Sequence, residues 1–439
     1  MQDRYSKLII LVFLLVQVAI IFIFGYTPYP DSEGYIAAAS EALRQGSPYP
    51  SPEQLHNLEF IWNVGSINAV ELSLWLSQSV LPSVPLLTEE GSGVVLLMIV
   101  YAIMKGLTAA MLFSITETLS DKRTAFIALV IYVCYPANYG EATSTLSEVP
   151  FIFFIMLSLW LVFVKKRPLL GGAVMALANW FRPMGLVFLV AIAIISILKR
   201  QRSLLRTAGG YIAMLLIIGT ATRLYTGRFF FQAQTGWMAL MQYSWDNDTQ
   251  QAPDTCLFYR GDPMAIPDGS ATDGVERNRY WQKNFGRWIA GGNIVEYLRQ
   301  MPRKVLDTYV SDNVNMCTFI PDKAERQYMY GEVSMPTLAA SFPRLTPVQW
   351  LTTLNLLFYY LLLLLYIVSL LTLRPSFRSS NGGASIHVLT LAIVAAGTLL
   401  LIFFGHGEAR FHQPFMPFII MAVAALIAEK TLGKSRRQP

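Results

Sequence analysis

Leu8-Ile-Ile-Leu-Val-Phe-Leu-Leu-Val-Gln-Val-Ala-Ile-Ile-Phe-Ile-Phe24 carries a single polar side chain, Gln17, over its whole length. A helix crosses the hydrocarbon core of a bilayer with roughly 17–25 apolar residues, so this run reads as a spanning helix. The next residues are Gly25-Tyr-Thr-Pro28, not a small-x-small cleavage site, and the segment is expected to stay as an anchor. Val94–Ile115, Val149–Val164, Leu351–Leu373 and Val388–Phe404 repeat the pattern. The 439-residue chain is 54% hydrophobic and 14% charged, with mean hydropathy +0.43. A soluble chain would carry about 25% charged residues. These features predict an all-α polytopic membrane protein.

The formal charge of +6 does not point to nucleic acid, because its distribution has another explanation. With Arg4 and Lys7 inside, alternation of the spans puts Lys122/Arg123, Lys165 to Arg167, Lys199/Arg200/Arg202/Arg206, Arg374/Arg378 and Lys430/Lys434/Arg436/Arg437 on that same side. These stretches hold half of the 34 lysines and arginines and only three acids, Asp3, Asp121 and Glu429. That is the positive-inside pattern. The alternation gives ten spans, near residues 7–25, 91–118, 124–139, 146–164, 169–182, 184–199, 206–224, 350–373, 386–404 and 413–430.

Two connections are too long to be simple loops. The outer loop 26–90 offers a helix from about Ser32 to Arg44, with Tyr35, Ile36, Ala39 and Leu43 at helical spacing. The half-apolar stretch Phe60–Leu87, with Trp62 and Trp75, suits helices lying in the interface. Residues 225–348 begin with turn signals such as Asp246-Asn-Asp248 and Pro267-Asp-Gly269. They become helical near Arg277–Ala290 and Ile294–Ser311, split at Gly291-Gly292 and Pro302. The expected organisation is a membrane module 1–224, a small outer domain 225–348, and closing membrane helices 349–439. Cys256 and Cys317 both fall in the outer domain and could pair in an oxidising compartment.

Ionisable residues gather at the outer ends of the spans, where a lipid-soluble chain has little structural use for them. Asp31 comes directly after the first span; it serves either as a general base or, by ordinary helix chemistry, as an N-cap. Glu141 and Glu148 lie seven residues apart, about 10 Å along one face if the helix extends back to Glu141. Otherwise Glu148 marks a solvated helix end. Lys105 stands inside an apolar run, where a buried ammonium needs a carboxylate such as Glu148 or a lipid phosphate. Arg182, before Pro183, and Arg410, flanked by His406, Glu408 and His412, present guanidinium forks suited to bidentate phosphate binding. The two histidines with Glu408 match no recognised metal-ligand spacing. Walker A, GxGxxG, CxxC, HExxH and GxSxG patterns are all missing, so neither a cofactor nor a metal is expected.

Five fragments in order resemble the polyprenyl-phosphate-sugar glycosyltransferases of the C-type (GT-C) fold, among them the protein O-mannosyltransferases and the aminoarabinose transferase of lipid A. They are Pro30-Asp31-Ser-Glu33-Gly-Tyr35, Lys105-Gly-Leu-Thr-Ala-Ala, Ser147-Glu148-Val-Pro-Phe151, Ala178-Asn-Trp-Phe-Arg182-Pro183, and Glu408-Ala-Arg410-Phe-His412-Gln-Pro414. Thr235-Gly-Trp-Met-Ala-Leu-Met241 with Asn247 is similar to a stretch in some bacterial members. The resemblance implies a GT-C-like bundle of about ten or more transmembrane helices. It further implies Asp31 as base toward an acceptor hydroxyl, with Lys105, Arg182 and Arg410 neutralising the lipid phosphate that leaves as the sugar is inverted. Tyr35, Glu141, Glu148, His406, Glu408 and His412 would contact substrate. Asp31-Ser-Glu33 departs from the paired acids of metal-dependent relatives, and Glu33 becomes the alternative base.

The implied partners are a polyprenyl-phosphate-linked sugar, a lipid, glycan or protein acceptor, and membrane lipid, at the outer face of the cytoplasmic membrane. A transporter or flippase for a lipid-linked sugar would spread polar residues through the midplane of several helices. This chain, Lys105 apart, concentrates them at one end. An O-antigen-type ligase would use arginines and histidines of the large outer loop, and the acid after the first span speaks against it.

Overall fold

The computed structural model describes residues 2–49, 63–79, 92–198, 203–237, 240, 274–323, 325–327, 331–372, 382–405 and 407–435. Among the described residues the fold is helical, with no strand. Six helices among the described residues are long and apolar enough to cross a membrane, or seven if Pro136–Thr143 and Glu148–Phe163 form one broken span. The chain is an all-α membrane protein. Of the ten expected spans, 169–182 and 184–199 appear as the shorter apolar helices Pro168–Phe181 and Gly185–Leu198.

Helix α1 (Gln2–Phe24) runs to Gly25, whose positive φ of 73° turns the chain. Helix α2 (Pro30–Gln45) begins earlier than a Ser32 start would allow, with Pro30 in its first turn and Gly46 closing it in the left-handed conformation. It buries Tyr35, Ala38, Ala39 and Ala42 against α3 (Val64–Ser79) and α4 (Val95–Leu119). Helix α5 (Lys122–Cys134) is capped by Asp121, which accepts hydrogen bonds from the Arg123 and Thr124 amides. It is shorter than the span expected at 124–139. Pro136 breaks it, and two 3-10 turns, Pro136–Tyr139 and Glu141–Thr143, lead at a 112° bend into α6 (Glu148–Phe163).

Small residues set how closely the helices approach. Helices α7 (Pro168–Phe181) and α9 (Ser203–Thr226), which flank α8 (Gly185–Leu198) in the chain, cross with reciprocal glycine contacts. A Cβ on Gly172 would fall 1.8 Å from the Thr207 carbonyl oxygen, and one on Gly210 would fall 1.9 Å from that of Leu169. Close backbone approach of this kind is what draws helices together where lipid supplies no hydrophobic drive.

The long connection after α9 supplies α10 (Gly274–Trp288), α11 (Ile294–Arg299), α12 (Met301–Tyr309) and α13 (Met335–Ser341). The break between α10 and α11 falls at Gly292, φ 97°, at the expected Gly291-Gly292 split. Helices α14 (Pro347–Thr372), α15 (Gly382–Phe404) and α16 (Met416–Ser435) close the fold, α16 entered through a 3-10 turn, Ala409–Phe415. The span Ala409–Thr431 is 94% buried and is the central post, whereas Arg4–Phe24 is only 17% buried. Exposed Leu8, Leu11, Leu15, Ile217, Leu224, Leu357 and Leu364 on the peripheral spans suit a lipid surround.

Candidate active site

Four chain segments meet at one end of the bundle, and each delivers its charged residue for a local reason. Asp31 sits in the first turn of α2, where the helix dipole favours an acid. It does not cap the helix. Tyr29 occupies the cap position, and its hydroxyl does not cap the helix but donates to the Val314 carbonyl at 2.8 Å. Glu148 opens α6, with Pro150 in a turn where a missing amide costs nothing. Arg182 ends α7 in an extended conformation because Pro183 disfavours the helical one for the residue before it. Arg410 stands in the 3-10 turn that leads into α16.

These side chains form one network. Arg410 donates to the Asp31 carboxylate at 2.5 Å, and its Nε lies 2.6 Å from Glu408 Oε1 and 3.8 Å from Glu148 Oε1. Arg182 pairs with the same Glu148 oxygen and reaches the Ser147 hydroxyl at 3.4 Å. Phe411 lies against both guanidinium groups, 4.7 Å from Arg182 and 5.7 Å from Arg410. The Glu148 side chain is 3% exposed, Arg182 10% and Arg410 12%, while Glu408 and Asp31 reach 18% and 26%. Glu148 is therefore the floor and Asp31 the open lip. Among the described residues the cluster holds three carboxylates against two guanidinium groups, so both guanidinium groups lie against protein carboxylates.

Tyr35 shares the α2 face of Asp31, four residues on; Asn63 donates to its hydroxyl at 2.6 Å. Burial, with the Asp31 charge adding to it, raises the Tyr35 pKa well above that of a free phenol, so the hydroxyl stays protonated. Glu33 is exposed, two residues and about 200° round the helix from Asp31. Among the described residues the Tyr101 hydroxyl is buried without a hydrogen-bond partner.

Three expected members stand elsewhere. Lys105 pairs with Glu141 and donates to Asn138 at 2.8 Å, so its carboxylate partner is Glu141 and not Glu148. Glu141 is not on the α6 face: the 112° bend puts it in a separate 3-10 turn, where Asn315 approaches it at 3.4 Å. This pair compensates the charge of a buried ammonium inside the protein, so Lys105 does not need a lipid phosphate as its counter-ion. His412 turns away from Arg410, since residues two apart on a three-per-turn helix face apart. It is fully buried against Thr308 O (2.8 Å), Asp312 (3.2 Å) and the rings of Tyr309 and Tyr359. His406, Met241, Asn247 and Cys256 lie outside the described residues.

Asp312 is the residue that sequence reasoning passed over. It receives the Tyr135 hydroxyl and His412, while Asn355 of α14 donates to its backbone carbonyl at 2.5 Å. Nearby, a trio of threonines joins three segments: Thr27 and Thr143 hydroxyls are 3.1 Å apart, and Thr318 lies 3.2 and 2.8 Å from them. Gly140 makes that junction possible, since a Cβ there would sit 1.9 Å from the Asn315 carbonyl oxygen. Among the described residues no three His, Cys, Asp or Glu side chains converge in a metal-ligating arrangement. Compared with family models and with curated proteins, the chain matches none.

Proposed function

We propose that the protein is a glycosyltransferase that moves a sugar from a polyprenyl-phosphate donor to a hydroxyl of a lipid, glycan or protein acceptor, at the outer face of the cytoplasmic membrane. In this reading the bundle has ten spans, and α2 and α3 lie in the interface beside a small outer domain. The observation that carries it is the meeting of Arg182 and Arg410 on the buried Glu148, with Asp31 paired to Arg410, at one end of the helices. A polyprenyl phosphate cannot leave the bilayer, so its sugar has to be met at that depth.

The chemistry rests on the gradient of exposure. The donor phosphate enters by exchange, taking the Arg410 fork from Asp31 and Glu408, while Arg182 stays held by Glu148 beneath. Exchange frees the Asp31 carboxylate at the lip, where an acceptor hydroxyl approaches from water. The acceptor oxygen forms a bond to the anomeric carbon, and its proton passes to Asp31. The bond from that carbon to the phosphate oxygen breaks, and the phosphate leaves with the electron pair. Attack opposite the leaving group inverts the sugar. Preorganised guanidinium groups stabilise the charge that develops on the phosphate. Lys105 has no part in this scheme, because Glu141 and Asn138 hold it.

The test is turnover and donor binding by the full chain in lipid nanodiscs with a panel of polyprenyl-phosphate sugars. Asp31→Asn is expected to lower turnover about 10²–10⁴-fold, the range of a lost general base, with donor binding retained. Arg410→Ala is expected to weaken donor binding about tenfold or more, a charge-assisted hydrogen bond being worth about 1.5–3 kcal/mol. Full turnover in Asp31→Asn would retract the mechanism.

A further inference from the structure

The stretch that carries Arg410 is held along most of its length by one partner. Lys304 on α12 donates to the carbonyls of Ile402 (3.2 Å) and Gly405 (2.9 Å), where α15 ends and its last carbonyls lack helical partners. The Tyr297 hydroxyl on α11 bonds the Phe403 carbonyl, and that of Tyr309 meets Thr398 at 2.7 Å. Gly407 lies against the Lys304 backbone so closely that a Cβ would fall 2.6 Å from its carbonyl oxygen. Two residues past Arg410, His412 bonds Thr308 O and the Asp312 carboxylate. Both ring nitrogens are thereby engaged, Nδ1 at the Thr308 carbonyl and Nε2 at the Asp312 carboxylate. Residues 297–312 therefore grip 398–412 at six successive points, and Arg410 lies between the last two.

We infer that residues 297–312 of the outer segment are a positioning strap for Arg410, with Lys304 and Asp312 as its anchors. Lys304 acts through the carbonyls of Ile402 and Gly405, and Asp312 acts through the His412 ring. A guanidinium that must exchange carboxylate partners for a phosphate works only if its backbone is fixed while its side chain is not, and the strap supplies that condition. It also links the outer segment, the part of the chain most open to an acceptor, to the phosphate end of the site. The link to the phosphate rests on the reading of Arg410 as a donor ligand; the strap itself does not.

Two measurements on the full chain in nanodiscs separate these. The first is amide hydrogen exchange at residues 405–412, and the second is the affinity for a polyprenyl monophosphate. Lys304→Met keeps the aliphatic stem and removes the donor; it is expected to speed exchange about tenfold, the loss of a charged hydrogen bond. Phosphate affinity should fall about three- to tenfold, and Lys304→Arg, which can still donate to two carbonyls, should restore both. In Lys304→Met/Arg410→Ala binding should be no weaker than in Arg410→Ala alone, because the strap acts through that residue. Asp312→Asn, at the other anchor, should repeat the exchange result. Unchanged exchange in both Lys304→Met and Asp312→Asn overturns the strap. Faster exchange with full affinity, or additive losses in the double variant, overturns the coupling to Arg410. Should Arg410→Ala itself bind normally, the donor reading fails, and the exchange data still decide whether the strap exists.

Discussion

Glu148 is shared by two guanidinium groups, and its side chain is nearly inaccessible. Removing one partner of a buried ion pair leaves the other charge uncompensated, which costs about 3–5 kcal/mol. Glu148→Gln keeps the shape and removes the charge, so it should lower the apparent unfolding free energy by about 3 kcal/mol. Thermal unfolding in detergent reads this directly. Glu33→Gln is the contrasting case: exposed, and on the face of α2 away from the cluster, it should keep near-normal turnover. At this scale the sequence shows which residues to watch, because charges at the ends of apolar runs stand out. It does not show who pairs with whom. Lys105 lacked a nearby acid in sequence, and its partner Glu141 comes from 36 residues away. Asp312 had no signal at all, since it meets His412 across 100 residues and sits in a segment without apolar periodicity.

The strap helix α12 makes the element-scale prediction. Burial pushes the Lys304 amine down to about 8, even though it donates to two carbonyls. In the unfolded chain the same amine keeps its proton up to about 10.4. Between these values the unfolded state binds more protons than the folded one, so stability rises with pH across that window. Below about pH 8 both states are protonated and the slope vanishes. Lys304→Met should abolish the rise, which unfolding measured from about pH 7.5 to about 10.5 would reveal; an unchanged slope would assign it to another group. The 3-10 turns before α6 make a second prediction. Gly140→Ala would drive a methyl into the Asn315 carbonyl, and overpacking costs about 1–3 kcal/mol. Pro136 marks the break in α5, but the 112° bend beyond it comes from buried bonds to Asn315, Thr318 and Asn355, which lie far along the chain. That is why the span expected at 124–139 is shorter and Glu141 leaves the Glu148 face.

For the whole molecule, two independent arguments concern which residues share an end. Charge alternation groups Arg4, Lys122/Arg123, Lys165 to Arg167 and Lys430 on one side. Contacts group Asp31, Glu148, Arg182 and Arg410 on the other, because α1 and α7 end where α6 and the last span begin. The agreement is not forced, since pairing Arg410 with Asp31 joins residues 379 apart in the chain. Alternation of apolar runs needs no tertiary knowledge, which is why the helical order is legible in the sequence. The connection after α9 is less so: its described helices α10 to α13 bury few apolar side chains, chiefly Val275, Trp281, Tyr297 and Leu338. Sidedness is the remaining requirement of the proposed function, which needs the cluster to face the compartment opposite the basic ends. Single cysteines placed at exposed or half-buried positions in a cysteine-less background measure it. Glu33→Cys and Glu408→Cys should react with an impermeant maleimide from the outside of intact cells, whereas Arg167→Cys and Lys430→Cys should react only after the membrane is opened. Labelling of residues 33 and 408 from opposite sides would separate Asp31 from Arg410 and dissolve the site; labelling of both only from the inside would turn it toward the cytosol and exclude an outer-face acceptor.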